Sequence, residues 1–217
     1  MTVDRQQIVT EAVALLDAEG LEGVTLRKLA ARLGIAQPTL YWHLPNKAAL
    51  VTAIADAILS QGLPGLAPPG PGQSWPQWLT SFAGQLRRAL LAHPDGARVV
   101  SISQASHAMA ALSELAITSL AAQGLTLRQA RLIVLTVERF TFGHVLEEQA
   151  PRPGPQDVDM ASFTRQYPNL VASITDYFRP GRTADDVFRD CLDIVIAGAA
   201  ASAARSDTEP DGKTAGT

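Results

Sequence analysis

Cysteine occurs once in the 217 residues, at Cys191, which excludes an internal disulfide framework and a zinc site built from cysteines. Long apolar runs are missing too. No segment approaches the roughly 18 uninterrupted apolar residues of a membrane span. The opening MTVDRQQIVTEA lacks the basic start and apolar stretch of a signal peptide, so a cytoplasmic location is expected. Catalytic signatures are absent as well. His43, His93, His107 and His144 stand beside no GxSxG elbow, HExxH pair or glycine-rich phosphate loop. Cys191 lies in an apolar stretch, a poor setting for a thiolate nucleophile. Neither an enzyme nor a cofactor or metal site is expected. His144 and Glu147 lie three apart on one helix and can share a metal, but surface solvation or a hydrogen bond is the more economical reading.

Acids are distributed unevenly. Apolar residues make up 47% and charged residues 18%, with a net charge of −3, a composition that suits a folded chain. Residues 1–22 hold Asp4, Glu11, Asp17, Glu19 and Glu22 against the single base Arg5. Residues 23–55 hold Arg27, Lys28, Arg32 and Lys47 and no acid at all. A local basic surface matters to a polyanion more than the total charge does; a chance gap in acids is the plain alternative.

What is present is helical periodicity, with no alternating strand. Asp4 with Gln7 reads as a capping box, and Ile8, Ala12, Leu15 and Leu16 mark one face. Gly20 supplies a left-handed stop. A short helix is expected from about Thr25 to Leu33, broken by Gly34, and another from about Gln37 to Leu44 with Pro38 in its first turn. Asn46 caps a fourth helix bearing Leu50, Ile54 and Ile58. Residues 62–72, GLPGLAPPGPG, read as a linker. Beyond it, Ser74 with Gln77 opens a helix carrying Trp78, Phe82, Leu86 and Leu90. A short irregular helix spans 94–103, and a longer one 105–122. Thr126 with Gln129 caps a long helix to about Gln149, followed by a loop over 150–157. A helix is expected near 161–178, and the last runs from Thr183 to about Ala204. The units expected are 1–60, a linker over 61–73, 74–204, and a disordered tail over 205–217.

The stretch VTLRKLAARLGIAQPTLYWHLPNK, residues 24–47, carries the chemistry. Two short helices joined by a tight turn at Gly34 form a helix-turn-helix pattern, whose second helix enters the major groove of DNA with its N-terminal end first. Gln37 can pair in bidentate fashion with adenine, and Pro38 and the Thr39 methyl can touch a thymine methyl. Tyr41, His43 and Lys47 can reach phosphates, with Thr25, Arg27 and Lys28 at the start of the preceding helix. Tyr41 and Trp42 are adjacent, so they lie about 100° apart on the helix and cannot both face inward. At least one is expected to be exposed.

GVTLRKLAARLGIAQPTLYWHLPNKAAL resembles the DNA-binding domain of the tetracycline-repressor (TetR) family. SWPQWL, ALLAHPDGARV and FTFGHVLEEQ resemble the C-terminal domain of its tetracycline-binding members. The likeness is spread over residues 1–150; the last helices match in length more than in wording. It implies an all-α fold of about nine to ten helices: a three-helix reading head, a fourth helix coupling it to a larger core, and a homodimer closed by a four-helix bundle. The bundle is made of the long helix after Thr126 and the last helix, where Val187, Cys191, Leu192, Val195 and Gly198 are the expected contacts. A monomer with its last helix simply buried is the alternative.

The resemblance also implies an effector site in the core, with departures. In the tetracycline-binding members a histidine anchors a drug-bound magnesium, and here its place holds Val100. A threonine's place holds Ser103, a histidine's Pro64, and a glutamine's Ala116. An asparagine and a phenylalanine match Phe82 and Leu86. Glu147 is retained, but a carboxylate without its imidazole partner is a poor magnesium anchor. Phe82, Leu86, Val100, Leu112, Ala116 and Val134 are expected to line an apolar pocket, with Ser103, Gln104 and Arg139 as polar contacts. The alternative is that Phe82 and Leu86 fill the cavity. The expected partners are a palindromic double-stranded operator, a largely apolar small effector other than magnesium–tetracycline, and a second copy of the chain. A magnesium–tetracycline-responsive repressor, an activator, and a ligand-binding or scaffolding protein that has lost DNA binding are the rival readings.

Overall fold

The computed structural model describes residues 3–103, 105–151 and 159–206. Eleven helices and no strand occur among them: α1 Arg5–Gly23, α2 Leu26–Leu33, α3 Gln37–Tyr41, α4 Lys47–Gly62, α5 Trp75–Leu91, α6 Gly96–Ile102, α7 His107–Ala121, α8 Leu127–Gln149, α9 Met160–Gln166, α10 Pro168–Tyr177 and α11 Ala184–Ser206. The caps that the sequence shows are made. The Asp4 N–H donates to Gln7 Oε1 at 3.1 Å while the Gln7 N–H donates to Asp4 Oδ1 at 2.7 Å. Thr126 and Gln129 exchange the same two bonds at 2.8 and 3.2 Å. Each pair satisfies two donors that a helix start would otherwise leave open. Gly20 has φ 66 and ψ 179, so helical geometry breaks there and the chain resumes through Leu21 to Gly23.

One expected element is split. The span 161–178 is two helices, because Pro168 has no N–H to continue the first and instead opens the second. At the other boundary, α11 runs to Ser206, slightly past the expected end. The remainder of the expected tail, 207–217, and most of the 150–157 loop lie outside the described residues.

The buried side chains form one continuous core. At its N-terminal end α1 packs on α2 and α4, and α2 on α3. Helix α4 also packs on α5, α6 and α7, so it belongs to both halves of the molecule. The larger half stacks α5, α7 and α8, with α11 laid along α5 and α8. The Arg87 guanidinium fixes that last contact. Its Nε and Nη2 donate to Glu148 at 2.9 and 2.7 Å, its Nη1 donates to Asp185 at 2.8 Å, and it lies 4.9 Å from the Phe188 ring centroid. Such a bidentate pair adds geometric specificity as well as energy, here joining α5, α8 and α11.

Candidate DNA-reading head and effector chamber

Local sequence builds the reading head. Thr25 caps α2 by accepting the Lys28 N–H at 3.2 Å. Gly34 ends α2 with φ 65 and ψ 29, a left-handed conformation that glycine adopts without strain. The Ile35 N–H then reaches back to the Ala30 carbonyl at 3.1 Å, closing the helix end and turning the chain. Helix α3 follows at once. Leu40 and Leu44 anchor it in the core, while the chain beyond Tyr41 continues as turns rather than helix.

The opposite face of α3 is displayed. Pro38 and Thr39 are exposed. Trp42 is 89% exposed and Tyr41 46% exposed, so neither adjacent aromatic packs in the core. Gln37 is half-buried, and its Nε2 donates to the Tyr41 hydroxyl at 3.1 Å across one helical turn. That contact holds the amide over the face while leaving its other N–H and its oxygen for an adenine edge. His43 is half-buried; Lys47 and Arg27 are exposed.

The cation count changes. Lys28 pairs with Glu19, and Arg32 with Glu11, both acids of α1. The acid-free window therefore does not translate into four available charges. Among the described residues Arg27 and Lys47 are the cations of this window without an acidic partner. A phosphate contact from Lys28 has to break its pair, which at this exposure is worth about 0–1 kcal/mol.

The expected effector residues lie mostly in the packed interior. Phe82, Leu86, Ala116 and Val134 are fully buried, Val100 nearly so, and Leu112 half-buried. The Phe82 ring stacks on Trp78 with centroids 5.6 Å apart. Ser103 is buried, but its hydroxyl donates to the Val99 carbonyl at 2.8 Å. Pro64 and Glu147 are exposed, the latter beside a cleft of about 400 Å³ that also takes in His144, Glu148, Phe178 and Arg182. Gln104 lies outside the described residues. Arg139, expected to point inward, is exposed. Its neighbour Glu138 is the buried one, 4% exposed and accepting from Ser113 Oγ at 2.6 Å. Val137 and Glu138 lie on the buried side of α8, and the next step of about 100° carries Arg139 out to solvent. Nothing in the local pattern marks an acid rather than a base for that place, and the sequence reading missed it.

The expected dimer face needs one correction. Leu192 is 1% exposed within its own protomer. With Phe188 and Ile196 it forms the inner stripe of α11, at the four-residue spacing of a helix face. The outward stripe holds Ile194, 74% exposed, and Gly198. Val187, Cys191 and Val195 lie half-buried along its edges. On the neighbouring α8, Leu132 and Leu146 are exposed.

Head and chamber are joined by specific contacts. Asp17 of α1 meets His93 at 2.7 Å, and Glu22 accepts from Arg98 of α6 at 2.7 Å. The Leu21 N–H donates to Asp95 at 2.8 Å. On α4, Asp56 accepts from Ser106 Oγ at 2.7 Å and from the Ala108 N–H at 3.0 Å, capping α7. Helix α6 thus carries Val100 on its buried side and Arg98 on the head.

Comparison with known proteins settles the family. A model for "Bacterial regulatory proteins, tetR family" matches residues 8–54, and one for "Tetracyclin repressor-like, C-terminal domain" matches 68–203. The chain belongs to the TetR family. It is 42% identical to the class E tetracycline repressor protein of Escherichia coli over 66% of this chain and 67% of that one. It is similar to Streptomyces coelicolor ActR in complex with (S)-DNPA, with TM-score 0.76 and 26% identity over 94% of this chain and 100% of ActR. BioQ bound to its double-stranded DNA operator gives TM-score 0.66 and 26% identity over 92% and 99% of the two chains. The family is one of bacterial transcriptional regulators, and by family so is this chain. Among the described residues no helix is long and apolar enough to cross a membrane.

Proposed function

We propose that the chain is a cytoplasmic homodimeric repressor that reads a palindromic operator with α3 and is released by a small effector held in its core. The single observation that carries the DNA reading is the displayed face of α3. Gln37, Pro38, Thr39, Tyr41 and Trp42 stand clear of a core that holds only Leu40 of that helix. A large exposed aromatic such as Trp42 has no packing reason to be there. BioQ, seen on its operator, supports the reading. The units are a reading head over 1–60 and an effector and dimer unit over 74–204, with α4 shared between them. Two heads one DNA turn apart, roughly 34–36 Å, are what a two-fold operator requires. The outward stripes of α8 and α11, with Leu132, Leu146, Ile194 and Gly198, are the surface that a second copy covers.

The effector acts by differential affinity for two spacings of the heads. Helix α6 is the lever. Ligand beside Val100 shifts α6, and with it the contacts of Asp95 and Arg98 to α1. Because Phe82 and Leu86 fill the interior, ligand enters only as these side chains yield. Val100 offers no atom to magnesium, and Phe82 and Ala116 offer no amide, so a site built on hydrogen bonds has lost its partners.

Gel shifts on DNA upstream of the gene, with and without candidate ligands, test the whole reading. The operator complex is expected to form, and magnesium–tetracycline is expected to leave it intact. Apolar ligands at 100 times their dissociation constant are expected to stabilise the fold by about 2.7 kcal/mol, whether or not a chelator is present. Release by tetracycline only with magnesium would overturn the effector reading. Failure to shift any upstream DNA would overturn the regulator reading.

A further inference from the structure

Two charged side chains are buried among the described residues, Arg87 and Glu138, and they are treated oppositely. Arg87 is paired through all three of its nitrogens, with both oxygens of Glu148 and one of Asp185 on its guanidinium. Glu138 has one hydrogen bond, from the Ser113 hydroxyl at 2.6 Å. Among the described residues no Lys, Arg or His nitrogen lies within 4.0 Å of its carboxylate. Arg131 and Arg139 act on it only from farther away. An ionised carboxylate accepts about four hydrogen bonds, and burying one without a counter-ion is costly. The fold completes the buried charge that joins its helices and leaves this one short.

Its position is specific. On α8, Glu138 sits between Val134 and Thr141, both fully buried, on one helical face. On α7, Ser113 adjoins Leu112 and precedes Ala116 by one turn. One turn beyond Ala116, the Ser119 hydroxyl is buried with no hydrogen-bond partner. The two unmet polar groups therefore flank the same residues, Leu112, Ala116 and Val134, that form the proposed effector lining.

We propose that Glu138 is the counter-ion for a protonated amine on the effector, which is thus an apolar body carrying one basic nitrogen. The proposal rests on the effector reading above and narrows it to a ligand class. An ammonium supplies up to three donors and forms charge-assisted hydrogen bonds that are shorter and stronger than neutral ones. An uncharged analogue leaves the carboxylate unpaired, and an anionic one adds a like charge beside it. Both are rejected by the site, whereas Phe82, Leu86 and Val100 accept the apolar body. Glu138 discriminates between effectors; it has no part in reading DNA.

The test uses the full-length chain and two fluorescent probes of the same body, dansylcadaverine, a primary amine, and its uncharged N-acetyl derivative. The unmodified chain is expected to bind the amine at least tenfold more tightly. Glu138→Gln, which preserves shape, is expected to remove that preference by weakening the amine alone. Ser113→Ala, which keeps the carboxylate, is expected to retain it, and serves if the first variant does not fold. Lowering the pH is expected to weaken the amine and leave the acetylated probe unchanged, as Glu138 takes up a proton. Equal binding of the two probes by the unmodified chain, binding of neither, or a preference that survives Glu138→Gln overturns the proposal. A gel shift on the same preparations separates the two readings. An unmodified chain that prefers the amine but shifts no DNA overturns the regulator reading and leaves this one standing.

Discussion

Helix α3 and the interior between α5, α7 and α8 carry the two halves of the proposed function, and they are built in opposite ways. The five residues of α3 bury one side chain and present the rest. The interior hides Phe82, Leu86, Val134 and Ala116 and presents nothing. A DNA-reading surface has to exist before its partner arrives, because base edges and phosphates are met by groups already in place. A site for a small apolar molecule can be closed until its ligand pays for opening it, and the closed state is then stable in its own right.

The comparison can be broken at several points. Phe82→Ala removes a fully buried ring stacked on Trp78, and a loss of about 3–5 kcal/mol in unfolding free energy by denaturant titration is expected. A loss under about 1 kcal/mol would mean that the interior is loosely filled. Gln37→Ala is expected to cost about 1–3 kcal/mol of operator affinity and to relax preference at one base pair, with folding unchanged. An unaltered consensus would contradict the docking of α3.

Glu138→Gln sharpens the comparison through pH. Burial raises the Glu138 pKa above its ordinary value, with Ser113, Arg131 and Arg139 opposing. The folded chain therefore holds this proton more tightly than the unfolded chain, and the carboxyl costs stability as pH climbs from the ordinary glutamate value through the raised one. Melting curves are expected to show the variant gaining on the unmodified chain across that window, with a constant difference below it. A difference that does not change with pH would place the carboxyl in solvent. Lys47→Ala is expected to weaken all DNA sequences alike and to reduce the salt slope by about 1, with Lys28→Ala giving less because Glu19 already holds it. Trp42→Ala is expected to change folding stability by no more than about 0.5 kcal/mol.

What could be read from the sequence follows the same division. The head was legible because its signals are local: Asn46 as a cap, Gly34 as the break after the second helix, Pro38 in a first turn. The exposed aromatics followed from the angle between neighbours on a helix. Charge was misjudged there, since the acids of α1 that neutralise Lys28 and Arg32 arrive only through tertiary packing. In α11 the apolar residues cover more than one face, so periodicity could not tell the inner stripe with Leu192 from the outer one with Ile194. In α8 the choice between Glu138 and Arg139 was lost because an apolar interior gives no reason to seek a carboxylate. Apolar residues at the effector positions suit a lining and a filling equally, and only the stacking of Phe82 on Trp78 shows that the space is occupied.

The central claim is that the chain is a dimer reading a two-fold operator through α3. Selection of bound duplexes from a random library, followed by sedimentation of the recovered complex, tests it most directly. The account predicts an inverted repeat with half-site centres about one helical turn apart, two chains per duplex, and loss of the complex in Ile194→Glu, whose charge would be buried in the bundle. Recovery of no consensus, or of a single half-site bound by one chain, would contradict it.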